Sequence, residues 1–242
     1  MHSSRPKIRK DFPTLPQTVS HTHLFFLRIM GRNQARLLRC LTYRNWLLDS
    51  WCMTRRIETM QGNNLTSEQQ KMVEVWERHL AAEFKEKDID ATMATMSSEP
   101  FVNHIPVMTG GVGFSKVRRF YGTYFIPHHP PDSTLVPVAR TVGEDRLVDE
   151  VILKFTHTIE MPWILPGVPP TGKRVEIAVI AVIQFKEGKI AGERIYWDQA
   201  SVLAQIGLID ASRLPVTGIE ASRKVLDPAQ ELSNRLIERV NR

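Results

Sequence analysis

Arg146-Leu147-Val148-Asp149-Glu150-Val151-Ile152-Leu153-Lys154-Phe155-Thr156-His157-Thr158 is the stretch on which the fold turns. Read in steps of two, Leu147, Asp149, Val151, Leu153, Phe155 and His157 fall on one side of an extended chain, so the period predicts a half-buried β-strand. Its apolar face carries a carboxylate and an imidazole. Each must be hydrogen-bonded or face a cavity, because burying an unpaired polar group costs about 2–7 kcal/mol. Glu150 lies on the opposite face, and without a bulge only one of the two acids can point inward. The period favours Asp149.

Outward from this stretch the same alternation recurs. Arg174 to Lys186 is apolar on both faces, with Val175, Ile177, Val179 and Ile183 opposite Ala178, Ile180 and Val182, which predicts a central strand covered on both sides. Thr134 to Val142 and Lys189 to Asp198 are further β-rich runs, joined to their neighbours by hairpin-like turns at Gly143-Glu144-Asp145 and Glu187-Gly188. The four prolines of the loop Pro162 to Gly172 call for an extended crossover.

Before the strands the period is helical. Thr66-Ser67-Glu68-Gln69 reads as a capping box, followed by Met72, Trp76, Leu80 and Phe84 in one apolar stripe that ends near Lys87. A short helix from Asp88 to Met96 and an extended piece from Phe101 to Val107 come next, broken by Gly110, Gly111 and Gly113. A third helix from Phe114, with Val117, Phe120, Tyr121, Tyr124 and Phe125, stops at Pro127. After the strands a helix from Gln199 to Ile206 ends at Gly207, and the tail holds an exposed helix from Pro228 to Val240. Helices first and a meandering antiparallel sheet afterwards make an α+β class. The organisation expected is a basic leader over 1–63, one domain over 64–210 and a C-terminal extension over 211–242.

Charge is unevenly spread. Residues 1 to 60 hold 11 Lys+Arg against 3 Asp+Glu, a balance of +8 in a chain whose total is +6, which leaves the remainder at −2. The basic surplus therefore belongs to the leader, and nucleic acid is not an expected partner of the domain. Two readings of the leader stand. Its Arg-rich, acid-poor composition is that of a mitochondrial presequence, and its lack of a sustained helical period is that of a disordered extension, with Met60 as the start. Both cysteines, Cys40 and Cys52, lie there too, so the domain has no disulfide or thiolate chemistry, which suits a reducing cytoplasmic setting. No window reaches the roughly 18 apolar residues of a membrane span.

Several chemistries find no motif. There is no Gly-rich dinucleotide fingerprint or P-loop, and Gly113-Phe114-Ser115-Lys116-Val117 lacks the last glycine of a nucleophile elbow. His104, His128, His129 and His157 have no ligand spacing with Asp149 or Glu150, so neither a metal nor another cofactor is expected.

The passage Tyr196-Trp197-Asp198-Gln199-Ala200-Ser201-Val202-Leu203-Ala204-Gln205-Ile206-Gly207-Leu208, preceded by the hairpin Phe185-Lys186-Glu187-Gly188-Lys189-Ile190, resembles the closing signature of SnoaL-like proteins. Phe155-Thr156-His157-Thr158, Met161-Pro162-Trp163 and Leu165-Pro166-Gly167-Val168-Pro169-Pro170-Thr171-Gly172 resemble a branch of the same family. The resemblance covers about Leu65 to Leu208. It implies a cone-shaped curved sheet wrapped around N-terminal helices, of nuclear transport factor 2-like fold, with an apolar pocket and dimerisation through the sheet. It also implies cofactor-free acid–base chemistry (cyclase, isomerase or dehydratase) on a hydrophobic, polyketide-like molecule, although fold alone does not choose among these. Asp198 matches the family's usual base position.

On that reading Asp198 removes a proton flanked by carbonyls and His157 or His104 holds the enolate oxygen. Tyr121, Tyr124, Asp149, Trp163, Tyr196 and Trp197 are the expected substrate contacts. The competing reading makes Asp198 a plain helix cap, the histidines satisfied core residues, and the domain a non-catalytic pocket for a hydrophobic metabolite or a partner protein. The loop carrying Trp163 is either a lid or an exposed crossover.

Overall fold

In the computed structural model residues 65–240 are described, so the leader lies outside the described residues. Helix α1, Ser67–Leu80, starts on the expected capping box: Thr66 accepts from the Gln69 backbone and Gln69 reaches back to Thr66. The Gln69 amide also donates to Val142 O at 3.0 Å, fixing the start of the helix to the sheet. The chain then widens into a π-helical segment, Ala81–Glu86, closed by Lys87 at φ 55°. Helix α2, Ile89–Ala94, is capped by Asp88.

Strand β1, Met96–His104, pairs antiparallel with β2, Thr109–Val112. Gly110 and Gly111, expected to break the chain, therefore lie in a strand while Gly113 stands before the next helix, and the close approach requires glycine: a Cβ on Gly110 would stand 2.0 Å from Val102 O. Helix α3, Phe114–Phe120, runs into a second π-helical segment, Tyr121–Phe125. Strands β3, Thr134–Val142, β4, Arg146–Thr156, β5, Arg174–Lys186, and β6, Lys189–Trp197, follow within about two residues of the expected limits. Helix α4, Gln199–Gln205, comes next. The tail differs from expectation: it forms α5, Ile219–Leu226, and a shorter α6, Arg235–Val240, instead of one helix from Pro228. Ser222 of α5 donates to Glu176 O at 2.8 Å and anchors that helix on β5.

The six strands lie in the order β2-β1-β6-β5-β4-β3. All pairings are antiparallel except β1 with β6, where the return of the chain after the hairpins makes them parallel. Gly192 permits that pairing, since the Phe101 ring lies where its Cβ would stand. On one face Leu147, Val175, Ile177 and Ile183 are fully buried. Helix α1 packs over it, because Trp76 bonds Asp149 on β4 and His79 meets Glu193 on β6. The proline-rich crossover is not extended. Leu165 N donates to Met161 O at 2.8 Å in a turn that tucks Met161, Trp163, Ile164 and Leu165 into the core. Among the described residues no helix is long and apolar enough to cross a membrane.

Candidate functional site

Between α1, the two π-helical segments and the inner sheet face lies a cavity of about 70 Å³ with largely apolar walls. A cavity of about 150 Å³ holds a benzene ring, so this one admits the reacting end of a substrate while the rest stays at the mouth. Leu80, Phe84, Phe125, Val151, Leu153 and Ile195 supply apolar wall, and Glu83, Tyr121, Glu193, Asp149 and His104 bring polar atoms to it.

The polar centre is built around His79, fully buried at the end of α1. Its Nδ1 lies 2.6 Å from Thr95 Oγ1. The Thr95 hydroxyl already donates to Thr92 O at 2.6 Å, so Nδ1 must be the donor in this pair. On the other side Nε2 lies 2.9 Å from Glu83 Oε1, 3.1 Å from Glu193 Oε1 and 3.2 Å from the Tyr121 hydroxyl. Tyr121 spends its proton on Glu193 Oε1 at 2.9 Å. Only acceptors therefore face Nε2, which must also carry a proton, and the ring is an imidazolium. Burial works against that charge, but the carboxylates of Glu83 and Glu193 outweigh it and push the pKa of His79 up to about 10.

One N–H cannot serve three acceptors. The Nε2 proton is directed to Tyr121, so Glu83 Oε1 is close enough for ion pairing yet has no hydrogen bond. Burial raises the pKa of the Glu83 carboxyl, with His79 opposing. The Tyr121 pKa is raised as well, by burial and by Glu193 and Glu83, which keeps its hydroxyl protonated. The chain sets these groups in place through its two irregular helices: Glu83 sits on the first π-helical segment and Tyr121 opens the second. Such π-bulges occur frequently at functional sites. The ligand atoms of His79, Glu83 and Glu193 lie within 4.8 Å of one another, a spacing that also suits a metal ion.

Asp149 is buried on the cavity wall with its acceptors filled. Arg140 donates to it through Nε at 3.1 Å and Nη2 at 2.8 Å, and Trp76 Nε1 donates at 2.8 Å. His104 lines the cavity among Phe120, Phe125, Trp163 and Trp197. Burial pushes its pKa down to about 4, so its ring is neutral at pH 7. Trp163, Trp197 and Tyr121 also line the cavity.

The remaining expected site residues stand elsewhere. Asp198 is exposed, and its carboxylate accepts from Ser201 N at 3.1 Å as the N-cap of α4. It does not line the cavity, so the structure does not bring it together with an imidazole there. His157 is buried but bonds the crossover through Thr171 at 3.2 Å, outside the cavity lining; burial lowers its pKa. Tyr124 and Tyr196 are 39% and 40% exposed and do not line the cavity. Sequence reasoning missed His79, Glu83 and Glu193. Two signals could have found them: His79 and Glu83 are four apart beside the apolar stripe that runs from Met72 to Phe84, and Glu193 alternates with Ile195 and Trp197.

A curved sheet closed by N-terminal helices over an apolar, acid-lined cavity is the architecture of the nuclear transport factor 2-like fold. Residues 66–206, more than half of the chain, match the family described as SnoaL-like polyketide cyclase, and the chain belongs to that family. Among solved structures it is similar to a Jannaschia sp. CCS1 protein described as a SnoaL-like polyketide cyclase (19% identity, 62% of this chain and 100% of that chain, TM-score 0.49). It is also similar to TsrD from Streptomyces laurentii (18% identity, 60% and 100%, TM-score 0.48). A third is SalBIII, an epoxide hydrolase/cyclase-like enzyme of pyran ring formation in salinomycin (18% identity, 55% and 95%, TM-score 0.43). Among curated proteins none matches the sequence.

Proposed function

We propose that the protein is a cofactor-independent acid–base enzyme that enolises a carbonyl compound, with Glu83 as the base. The observation that carries this is the buried Glu83 Oε1, without a hydrogen bond, beside the His79 imidazolium at the wall of an apolar cavity. In this reading the proton next to the substrate carbonyl passes to Glu83, whose raised pKa suits it to hold that proton. The electron pair moves onto the carbonyl oxygen, where the Tyr121 hydroxyl, released from Glu193, donates a hydrogen bond. His79 lies behind the wall and keeps its positive charge, set against both carboxylates at rest and against Glu193 alone while Glu83 holds the proton. Where the enolate is conjugated with a carbon–carbon double bond it regains the proton from Glu83 at the far carbon, the isomerase outcome; otherwise its carbon attacks a second carbonyl and the new alkoxide takes the proton from Glu83, the cyclase outcome. The apolar wall favours a hydrophobic substrate, and the family's chemistry is in keeping with a polyketide-like one.

The test is deuterium uptake from deuterium oxide next to the carbonyl of enolisable ketones, from butanone to aryl 1,3-diketones. Glu83→Gln is expected to lower the catalysed rate by about 10²–10⁴, the usual worth of a general base, while Asp198→Asn and treatment with a chelator leave it within about threefold, well short of that loss. A Glu83→Gln protein that folds and exchanges at the wild-type rate contradicts the assignment. Saturable binding of these ketones with no exchange above buffer would instead favour the non-catalytic binding module.

A further inference from the structure

The tautomer of His104 specifies what the substrate must bring to the cavity. Thr109 Oγ1 donates to Trp163 O at 2.8 Å, a shorter contact than its 3.3 Å separation from His104 Nδ1. Its proton is thereby used. Nδ1 then faces two acceptors, Thr109 Oγ1 and Trp163 O at 3.4 Å, and must itself carry the hydrogen. In the neutral ring Nε2 is consequently a bare lone pair. His104 is 3% exposed, lines the cavity, and makes no hydrogen bond through Nε2. The rings of Phe120, Trp163 and Trp197 stand edge-on to it at 5.2, 5.7 and 5.6 Å, so the imidazole is wedged in one orientation.

The sequence suggested a donor here, to hold an enolate oxygen. The structure makes it an acceptor, and the carboxylate of Glu83, which also lines the cavity, has no hydrogen to donate either. A plain ketone cannot satisfy either. Building on the reading of the cavity as an enolisation site, we propose that His104 Nε2 accepts a hydrogen bond from a hydroxyl of the substrate, so that the enzyme takes a hydroxylated ketone and discriminates against its deoxy analogue. With its pKa pushed down to about 4, His104 recognises the hydroxyl without taking its proton.

The experiment compares butanone, its β-hydroxy derivative and the methyl ether of that derivative, with binding followed by ligand-observed NMR. Wild-type protein is expected to bind the hydroxy ketone at least about tenfold more tightly than butanone or the ether, since a site built to bond a hydroxyl rejects analogues that cannot donate. The ether keeps the oxygen and removes only the donor. His104→Phe is expected to abolish the preference. Equal wild-type affinity for the hydroxy ketone and the ether, or a preference that survives in folded His104→Phe, would overturn the proposal; the ligand comparison needs no variant to fold. Deuterium uptake by butanone, compared between wild-type protein and Glu83→Gln, reports separately on Glu83 as the base, so the two ideas fail independently.

Discussion

Asp149 shows what a single buried carboxylate does in this fold. It sits with Arg140 in an ion pair whose side chains are only 5% and 3% exposed, and it anchors Trp76, which forms part of the cavity wall. Removing one partner of a buried pair strands the other. Arg140 would keep its 3.0 Å contact with Glu77, so Asp149→Ala is expected at the low end of the usual loss, about 3 kcal/mol. Urea denaturation measures this, and a loss below about 1 kcal/mol, the worth of an ordinary surface pair, would show that the pair holds nothing in place. Asp149 was legible because β-alternation set it on an apolar face, and Glu193 sends the same signal on β6. His79 and Glu83 were harder to see. The stripe of Met72, Trp76, Leu80 and Phe84 advances four residues at a time, while the helix turns every 3.6, so the face drifts to include them. Asp198 shows the opposite difficulty, since a capping aspartate and a catalytic one are the same letter before a helix.

At the scale of elements, the strands and helix starts were readable, because alternation and capping are local. Thr66 caps the helix expected of it, Asp88 caps the short helix read as starting there, and Asp198 caps α4 as the competing reading had it. What failed was set by distant contacts. The Gly110-Gly111 strand depends on β1 alongside it, and the crossover folds inward because Trp163 finds a hydrogen bond from Nε1 to His128 O at 3.1 Å. The two π-helical segments have no sequence mark of their own, yet they carry Glu83 and Tyr121. The fold was therefore more legible than the site, whose residues come from α1, both π segments and β6.

Across the whole molecule the histidines set opposing pH dependences. His79 is raised from 6.5 to about 10, so the folded protein holds a proton that the unfolded chain has lost. That contribution is complete below pH 6.5 and disappears as pH rises through about 10. His104 and His129 are lowered to about 4 by burial, so the unfolded chain takes up protons first as pH falls from 6.5, and stability declines towards pH 4. Thermal melts across this range are expected to be highest near pH 6.5, with His79→Gln flattening the alkaline limb. A profile still rising at pH 9 in wild-type protein would contradict the charge assigned to His79.

The most direct measurement of that charge is the protonation of the histidine ring nitrogens, read from ¹⁵N shifts in labelled protein near pH 8, where an ordinary histidine is neutral. The account predicts that His79 carries hydrogen on both Nδ1 and Nε2, while His104 carries it on Nδ1 alone. A His79 ring with one bare nitrogen at that pH would contradict the account, because the Glu83 and Glu193 carboxylates would then have no imidazolium between them.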